Sequence, residues 1–510
     1  MSAGGIFGRW ACYRVMLVNF YMMRRSVVAF ALVVGGLMGN NFSAQAQKVK
    51  SAPFNYLPEQ GEDRYNQRVP HKTLALADGS GFVILAHQSG SAYAVERYSA
   101  DLKKQWSTTL PIAPGETVEA FGRSAEQAWV VLHHADESGQ NLTVQPVGLA
   151  GGQKSTPVVL VTAAASERRP SVRLSPDGTR LLAYRYATRD EQVRSLVGTL
   201  YDQKLTKIMD RTYDFRDQGD FFSPNVILAN DGTQYVTMLG DAMRKLTVRR
   251  YPATPDRIGI PTSVPVLGVP VGGIFEGKPI TIRDARFSLL PDGQLYAAAL
   301  CANYNTGELT SLKVVRIDFE NNSLKLAPEL PFAPAYLAEV GKATGTEPKK
   351  LEDIYLADIL LSENKNLVII AERHFEEGGP DQPVHARELH IFGYSAFVTP
   401  IWHLVVPKDQ VAPAIDSYTG IGFRAAVFGE DVQLLTLENI GGKSDLYLRH
   451  LQARTGVLGA LQRLKLNVAN DQQLAYVKDF TTWLGPKEII GVSRPSKKSA
   501  ALQLNEVKLK

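Results

Sequence analysis

A short apolar strand, a tight turn and a second apolar strand recur along this chain, and that unit limits what it can build. It appears as LALADGSGFVILAH (74–87), VRLSPDGTRLLAYRY (172–186), VILANDGTQYVTML (226–239) and RFSLLPDGQLYAAAL (286–300). Asp-Gly between alternating apolar runs is a strong hairpin signal, because the turn needs a positive φ that glycine adopts freely. Less regular copies are FGRSAEQAWVVLHH (121–134), ADILLSENKNLVIIAE (357–372), FRAAVFGEDVQLLTLE (423–438) and FTTWLGPKEIIGVS (480–493). With Asp78, Glu126, Asp177, Asp231, Asp292, Asn364, Glu430 and Pro486 as turn markers, the intervals are 48, 51, 54, 61, 72, 66 and 56 residues. After most hairpins a polar loop leads to a third strand and a weaker fourth, as in AYAVERYSADLKKQWSTTL (92–110) and ELHIFGYSAFVTPIWHLVV (388–406).

Four antiparallel strands repeated at this spacing predict an all-β fold, a β-propeller of four-stranded blades. Eight hairpins give eight blades, with seven as the alternative. No amphipathic helices of 10–15 residues separate the strands, which excludes a parallel α/β sheet. The one helical segment, Ala335–Lys342, falls inside a loop insertion. The last unit, 475–510, has room for only three strands. Residues 47–57 could supply the fourth and close the ring, which would cover an edge otherwise open to aggregation.

Residues 1–46 read as a leader with a signal peptide. Arg24 and Arg25 precede the apolar run Ser26–Gly39, and Ser43-Ala44-Gln45-Ala46 predicts cleavage after Ala46. An uncleaved anchor is the rival reading, and residues 1–21 are an unusual extension in front of such a signal. Residues 47–510 then form a single propeller domain. The whole chain carries a net charge of +5. Cleavage removes four arginines and no carboxylate, leaving 52 basic against 51 acidic residues, a net charge of +1. A near-neutral chain has no bulk attraction for a phosphate backbone, so nucleic acid is excluded as a partner. No stable membrane span is expected after processing. Of the two cysteines, Cys12 lies in the leader, so the exported chain has no intramolecular disulfide and Cys301 reads as a small buried hydrophobe.

Ser175-Pro176-Asp177-Gly178 and Leu290-Pro291-Asp292-Gly293 resemble the Pro-Asp-Gly turn of TolB-like, WD40-like bacterial propeller repeats, with Asn230-Asp231-Gly232 as a variant. That resemblance implies a fold and no activity. Residues 351–442, with LVIIAERHFEE and IWHLVVPKDQ, are similar to uncharacterised secreted proteins of Gram-negative gliding-type bacteria. Trp106 and Trp402 stand at the fourth-strand place used by quinoprotein-type propellers, whereas Trp129 and Trp483 do not. The pattern is closer to the envelope scaffolds that keep that fold and drop the cofactor, so no cofactor is expected.

Gly-x-Ser-x-Gly, His-Glu-x-x-His, a glycine-rich phosphate loop and a calcium loop are all absent. His133-His134-Ala135-Asp136-Glu137 and Glu372-Arg373-His374-Phe375-Glu376-Glu377 gather histidines and carboxylates, but they read as solvated loops and not as metal sites. Counting back eight residues from a common turn position gives Asp284, Asp358 and Asp479, with Arg169, Ser223 and Gly422 at the same place in other blades. In a propeller this is the entry to the innermost strand, so the three carboxylates would ring the mouth of the central funnel. They are the candidate ligand-binding residues, suited to a cation, an amine or a polyhydroxylated ligand. Caps on local backbone N–H groups are the alternative role. No catalytic residue is assigned.

The sequence therefore predicts an exported, monomeric, non-enzymatic binding propeller, in the periplasm or at the cell surface. Its expected partner is an envelope or extracellular protein, or a glycan. The alternative is a hydrolase or lyase acting on glycan or peptide, with the funnel carboxylates as acid and base.

Overall fold

The computed structural model describes residues 48–58, 69–189, 192–218, 223–254, 266–275, 277–378, 382–413, 419–471, 473–499 and 501–510. The leader lies outside them. Residues Gln47–Lys510 form one compact unit. Among the described residues there are eight antiparallel sheets, each built on four strands in sequence order from the inside outward, save the last, and two of them carry extra short strands. This is an eight-bladed propeller. The inner strands are Thr73–Ala75, Glu116–Arg123, Ser171–Leu174, Ser223–Leu228, Lys278–Leu289, Ile354–Leu361, Phe423–Phe428 and Tyr476–Gly485, for blades 1 to 8.

Blade 8 takes its outer strand from the start of the chain. Lys48–Phe54 pairs antiparallel with Leu502–Lys508, from Lys48 opposite Lys508 to Phe54 opposite Leu502. Lys50 from this strand also reaches Asp101 of blade 1.

The core lies between sheets. Eight apolar clusters each join one blade to the next, and one of them joins blade 8 to blade 1 through Phe480, Ile490, Phe82 and Tyr98. A blade held between two neighbours has both faces covered, so its second strand can be apolar without a break. Phe82, Val83, Ile84, Leu85 and Ala86 are all fully buried. Their alternation is real but divides between two interfaces: Val83 and Leu85 pack toward blade 2, and Phe82, Ile84 and Ala86 toward blade 8.

Blade 5 carries extra short strands, Gly273–Phe275 and Leu330–Pro331, and blade 6 carries Gln410–Ala412. Between blades 5 and 6 a helix runs from Pro334 to Thr344, with proline in its first turn and Gly345 as a left-handed cap whose N–H bonds the Gly341 carbonyl. Its buried Tyr336 donates to or accepts from His390 Nδ1 at 2.8 Å. No helix among the described residues is long and apolar enough to cross a membrane.

Two sequence expectations need correction. The histidine–carboxylate segments are strand, not loop: His133 lies in Gln127–Asp136 and Glu372 in Leu367–Glu376. Both side chains are buried, His133 against Gln140 at 3.0 Å and Glu372 paired with Lys408 at 2.8 Å. These second strands run past the apolar stretch that marks them in the sequence, and the polar ends are covered by neighbouring segments.

Candidate functional site: the inner wall of the ring

An inner strand has a neighbour on one side only, so its other edge leaves backbone N–H and C=O groups facing the axis. The protein answers with arginines. Arg123 of blade 2 donates to the Ala75 carbonyl of blade 1 at 2.5 Å. Arg173 of blade 3 donates to the Val226 carbonyl of blade 4 at 3.1 Å and to Asn225 at 2.7 Å. Arg424 of blade 7 donates to the Lys478 carbonyl of blade 8 at 2.9 Å and also reaches the Pro70 carbonyl. Arg169 of blade 3 crosses to Glu119 of blade 2 at 2.6 Å. The planar guanidinium, with its five fixed donors, suits an edge that offers acceptors at irregular spacing.

The three predicted carboxylates belong to this wall, but they do not sit at strand entries. Asp284 is the seventh residue of its strand and Asp358 the fifth of its own. Each directly follows a bulge, at Arg283 and at Ala357, and Asp479 lies inside a longer irregularity between Val477 and Thr482. The bulge lets the strand continue beyond the point where apolar alternation stops, so the eight-residue count lands within it.

Each carboxylate ties one blade to another. Asp479 is fully buried and faces two cations, Arg424 at 3.0 Å and Lys72 at 3.4 Å. Asp284 accepts the Leu356 N–H of blade 6 at 2.7 Å. Asp358 accepts the Ile359 N–H at 2.9 Å and lies 4.0 Å from Arg286 of blade 5. Burial raises the Asp358 pKa above the usual carboxylate value, while Arg286 and Arg424 oppose that shift.

Several wall residues escaped the sequence reading. His71, just ahead of the inner strand of blade 1, is exposed at its surface but has protein around it. Burial, then the guanidiniums of Arg424 and Arg286, push its pKa down to about 4. Beside them stands a second cluster, in which Lys478 and Glu372 face each other across Gly422. A Cβ at Gly422 would lie 2.9 Å from Lys478 Nζ and 3.5 Å from Glu372. Burial lowers the pKa of Lys478 and of His374, and Glu372 opposes both shifts. The His374 ring stacks on Tyr355 with 4.4 Å between centroids. A signal for two of these residues was within reach. Two positions beyond the eight-residue count is one step along the same strand face, and it leads to Arg286 and Arg424.

No group of three or more potential metal ligands occurs among the described residues. Cys301 is fully buried, and burial raises its thiol pKa to about 11.

No protein-family model matches the sequence, and neither does any curated protein. Solved structures are similar in fold. The WD40 domain of SCAP from fission yeast is 8% identical, with a TM-score of 0.43, over 92% of this chain and 97% of that one. Polysaccharide lyase Uly1 is 10% identical, with a TM-score of 0.41, over 78% and 91%. Prolyl oligopeptidase B from Galerina marginata is 12% identical, with a TM-score of 0.42, over 93% of this chain but 59% of that chain. Likenesses of this depth carry no argument about activity.

Proposed function

We propose that this protein is a non-catalytic binding propeller, exported from the cell, that recognises an envelope or extracellular glycan or protein at its axial wall. The observation that carries this reading is the engagement of the carboxylates. Asp479 is held by Arg424 and Lys72 and Asp284 by the Leu356 N–H, which leaves Asp358 alone with a loosely placed Arg286. Glycoside hydrolysis in most families takes a pair of carboxyl groups free to exchange protons, and of these three only Asp358 is free of a close partner from another blade. A rigid ring with loops on both faces suits recognition.

Capture of the tagged protein from the envelope fraction of its own host tests the proposal. A stoichiometric protein or glycan that is lost when Arg286 and Asp358 are substituted supports it. Turnover of a glycan or peptide by the purified protein overturns it.

The placement of Lys478 beside Glu372, with its pKa lowered by burial, favours a second reading, a lyase or hydrolase that uses Lys478 as its base. On that reading, any turnover found would disappear in Lys478→Met and survive in Asp284→Asn.

A further inference from the structure

Most cations on the inner wall are spent on neighbouring carbonyls or carboxylates. Arg286 is an exception. Its side chain is 46% exposed, its one ion-pair contact among the described residues is Asp358 at 4.0 Å, and it donates no hydrogen bond to any of them. A guanidinium with five N–H donors is therefore left exposed on an inner strand, almost unused. Asp358, one third exposed, is likewise under-used: one oxygen accepts the adjacent Ile359 N–H, and no side chain among the described residues donates a hydrogen bond to it. His71 adds a third group with no hydrogen bond to another described residue. It comes from blade 1, on the opposite side of the ring from Arg286, yet it lies within electrostatic reach of both Arg286 and Arg424.

We propose that Arg286, Asp358 and His71 form a subsite for an acidic sugar, a uronate unit of a glycan, at the ring axis. This rests on the binding reading above and narrows it. The juxtaposition of an open guanidinium and an open carboxylate selects the ligand. A uronate at the non-reducing end of a glycan carries its carboxylate on one ring carbon and a free hydroxyl on the next, so an anion and a hydrogen-bond donor stand a few ångströms apart on a rigid frame. The carboxylate meets Arg286 in a charge-assisted, bidentate pair, and the neighbouring hydroxyl donates to Asp358. An ionised Asp or Glu side chain has acceptors only and would bring its charge against Asp358 with nothing to offer it. A neutral sugar satisfies Asp358 and leaves Arg286 unpaired. Burial, and after it the positive field of Arg424 and Arg286, holds His71 mainly in its neutral form, so its ring can accept from, or donate to, a second hydroxyl without adding charge. That same field favours an anion at the axis.

Isothermal titration of the full chain with a galacturonate trisaccharide, with neutral maltotriose and with hexaglutamate tests the assignment. The expected result is that the uronate trisaccharide binds and the other two do not. Arg286→Gln should weaken binding by about tenfold or more, the scale of one charge-assisted contact. Asp358→Ala should weaken it several-fold. Arg286→Lys, which keeps the charge and loses the planar fork, should also weaken it, and it serves if Arg286→Gln lowers the thermal midpoint. The His71 ring should become more basic when the uronate is bound, measured by its proton resonances against pH. Equal binding of hexaglutamate overturns the assignment, and so does failure of the trisaccharide to bind. A trisaccharide that binds but ignores both substitutions overturns the subsite and leaves the broader binding reading intact. That reading fails separately, through the capture and turnover experiments.

Discussion

Three aspartates at one sequence position have different fates, and substitution should separate them. Asp479→Asn leaves Arg424 and Lys72 without their shared anion in a buried place, so a loss of about 3 kcal/mol or more is expected in urea unfolding. Asp358→Asn should cost little or raise stability at neutral pH, because burial makes the ionised Asp358 a liability to the fold. The sign follows from linkage. A carboxylate whose folded pKa lies above its unfolded value binds its proton more tightly when folded, so its protonation adds stability as pH falls through the folded pKa. Any advantage of Asp358→Asn over the natural chain should therefore be greatest at neutral pH and shrink on acidification toward and below the usual Asp range. An advantage that grows on acidification would contradict the raised pKa. The sequence places these aspartates on the inner wall through a local count. It does not disclose their partners, because Arg424 is 55 residues from Asp479 and the Leu356 N–H is 72 from Asp284. Pairing over such distances is decided by how blades pack, and no short-range pattern records it.

At the scale of elements, the outer strands are fastened by tryptophan. Trp106 donates to the Leu149 carbonyl of the next blade at 3.1 Å, and Trp402 to the Ala453 carbonyl at 3.0 Å. Each ring lies against a glycine in the following tight turn, Gly152 or Gly456. Gly456 has φ +71, and a Cβ there would stand 2.5 Å from the Trp402 ring. Gly441 has φ +60 with nothing within 4 Å of a Cβ. Gly441→Ala should thus report backbone strain alone, about 1 kcal/mol. Gly456→Ala should lose clearly more, and the excess should vanish when Trp402→Ala is combined with it, which a double-mutant cycle in urea would measure. The two fourth-strand tryptophans are visible in the sequence. Their seats are not, because a glycine in a turn looks the same whether or not a ring lies over it. The hairpins and the helix were legible for the converse reason: Asp-Gly, Pro334 and Gly345 act within a few residues of themselves.

On the scale of the whole molecule, stability depends on an unbroken ring. Every blade offers two apolar faces, and an open ring would leave two of sixteen uncovered. The strand Lys48–Phe54 does not form a blade face by itself, but it covers the edge of Leu502–Lys508 and reaches blade 1 through Lys50. A chain that begins at residue 58 should have a lower urea midpoint and should self-associate in size-exclusion chromatography, through the bared edge. If it stays monomeric with an unchanged midpoint, blade 8 closes the ring with three strands and the added one is dispensable. The eight-blade count was legible because each hairpin counts itself. The extra strands of blades 5 and 6 were not, since they have no Asp-Gly turn of their own.

The closing strand also sets an order in time. Residues 48–54 are made well before their pairing partner, 502–508. At about 5–20 residues per second, roughly 20 to 90 seconds separates the two. For that whole interval the first strand has no native mate, and any blades already formed could stack only as an open arc. Residues 502–508 then close the ring in one event by pairing with that waiting strand, so a protein cut short of them would forfeit closure.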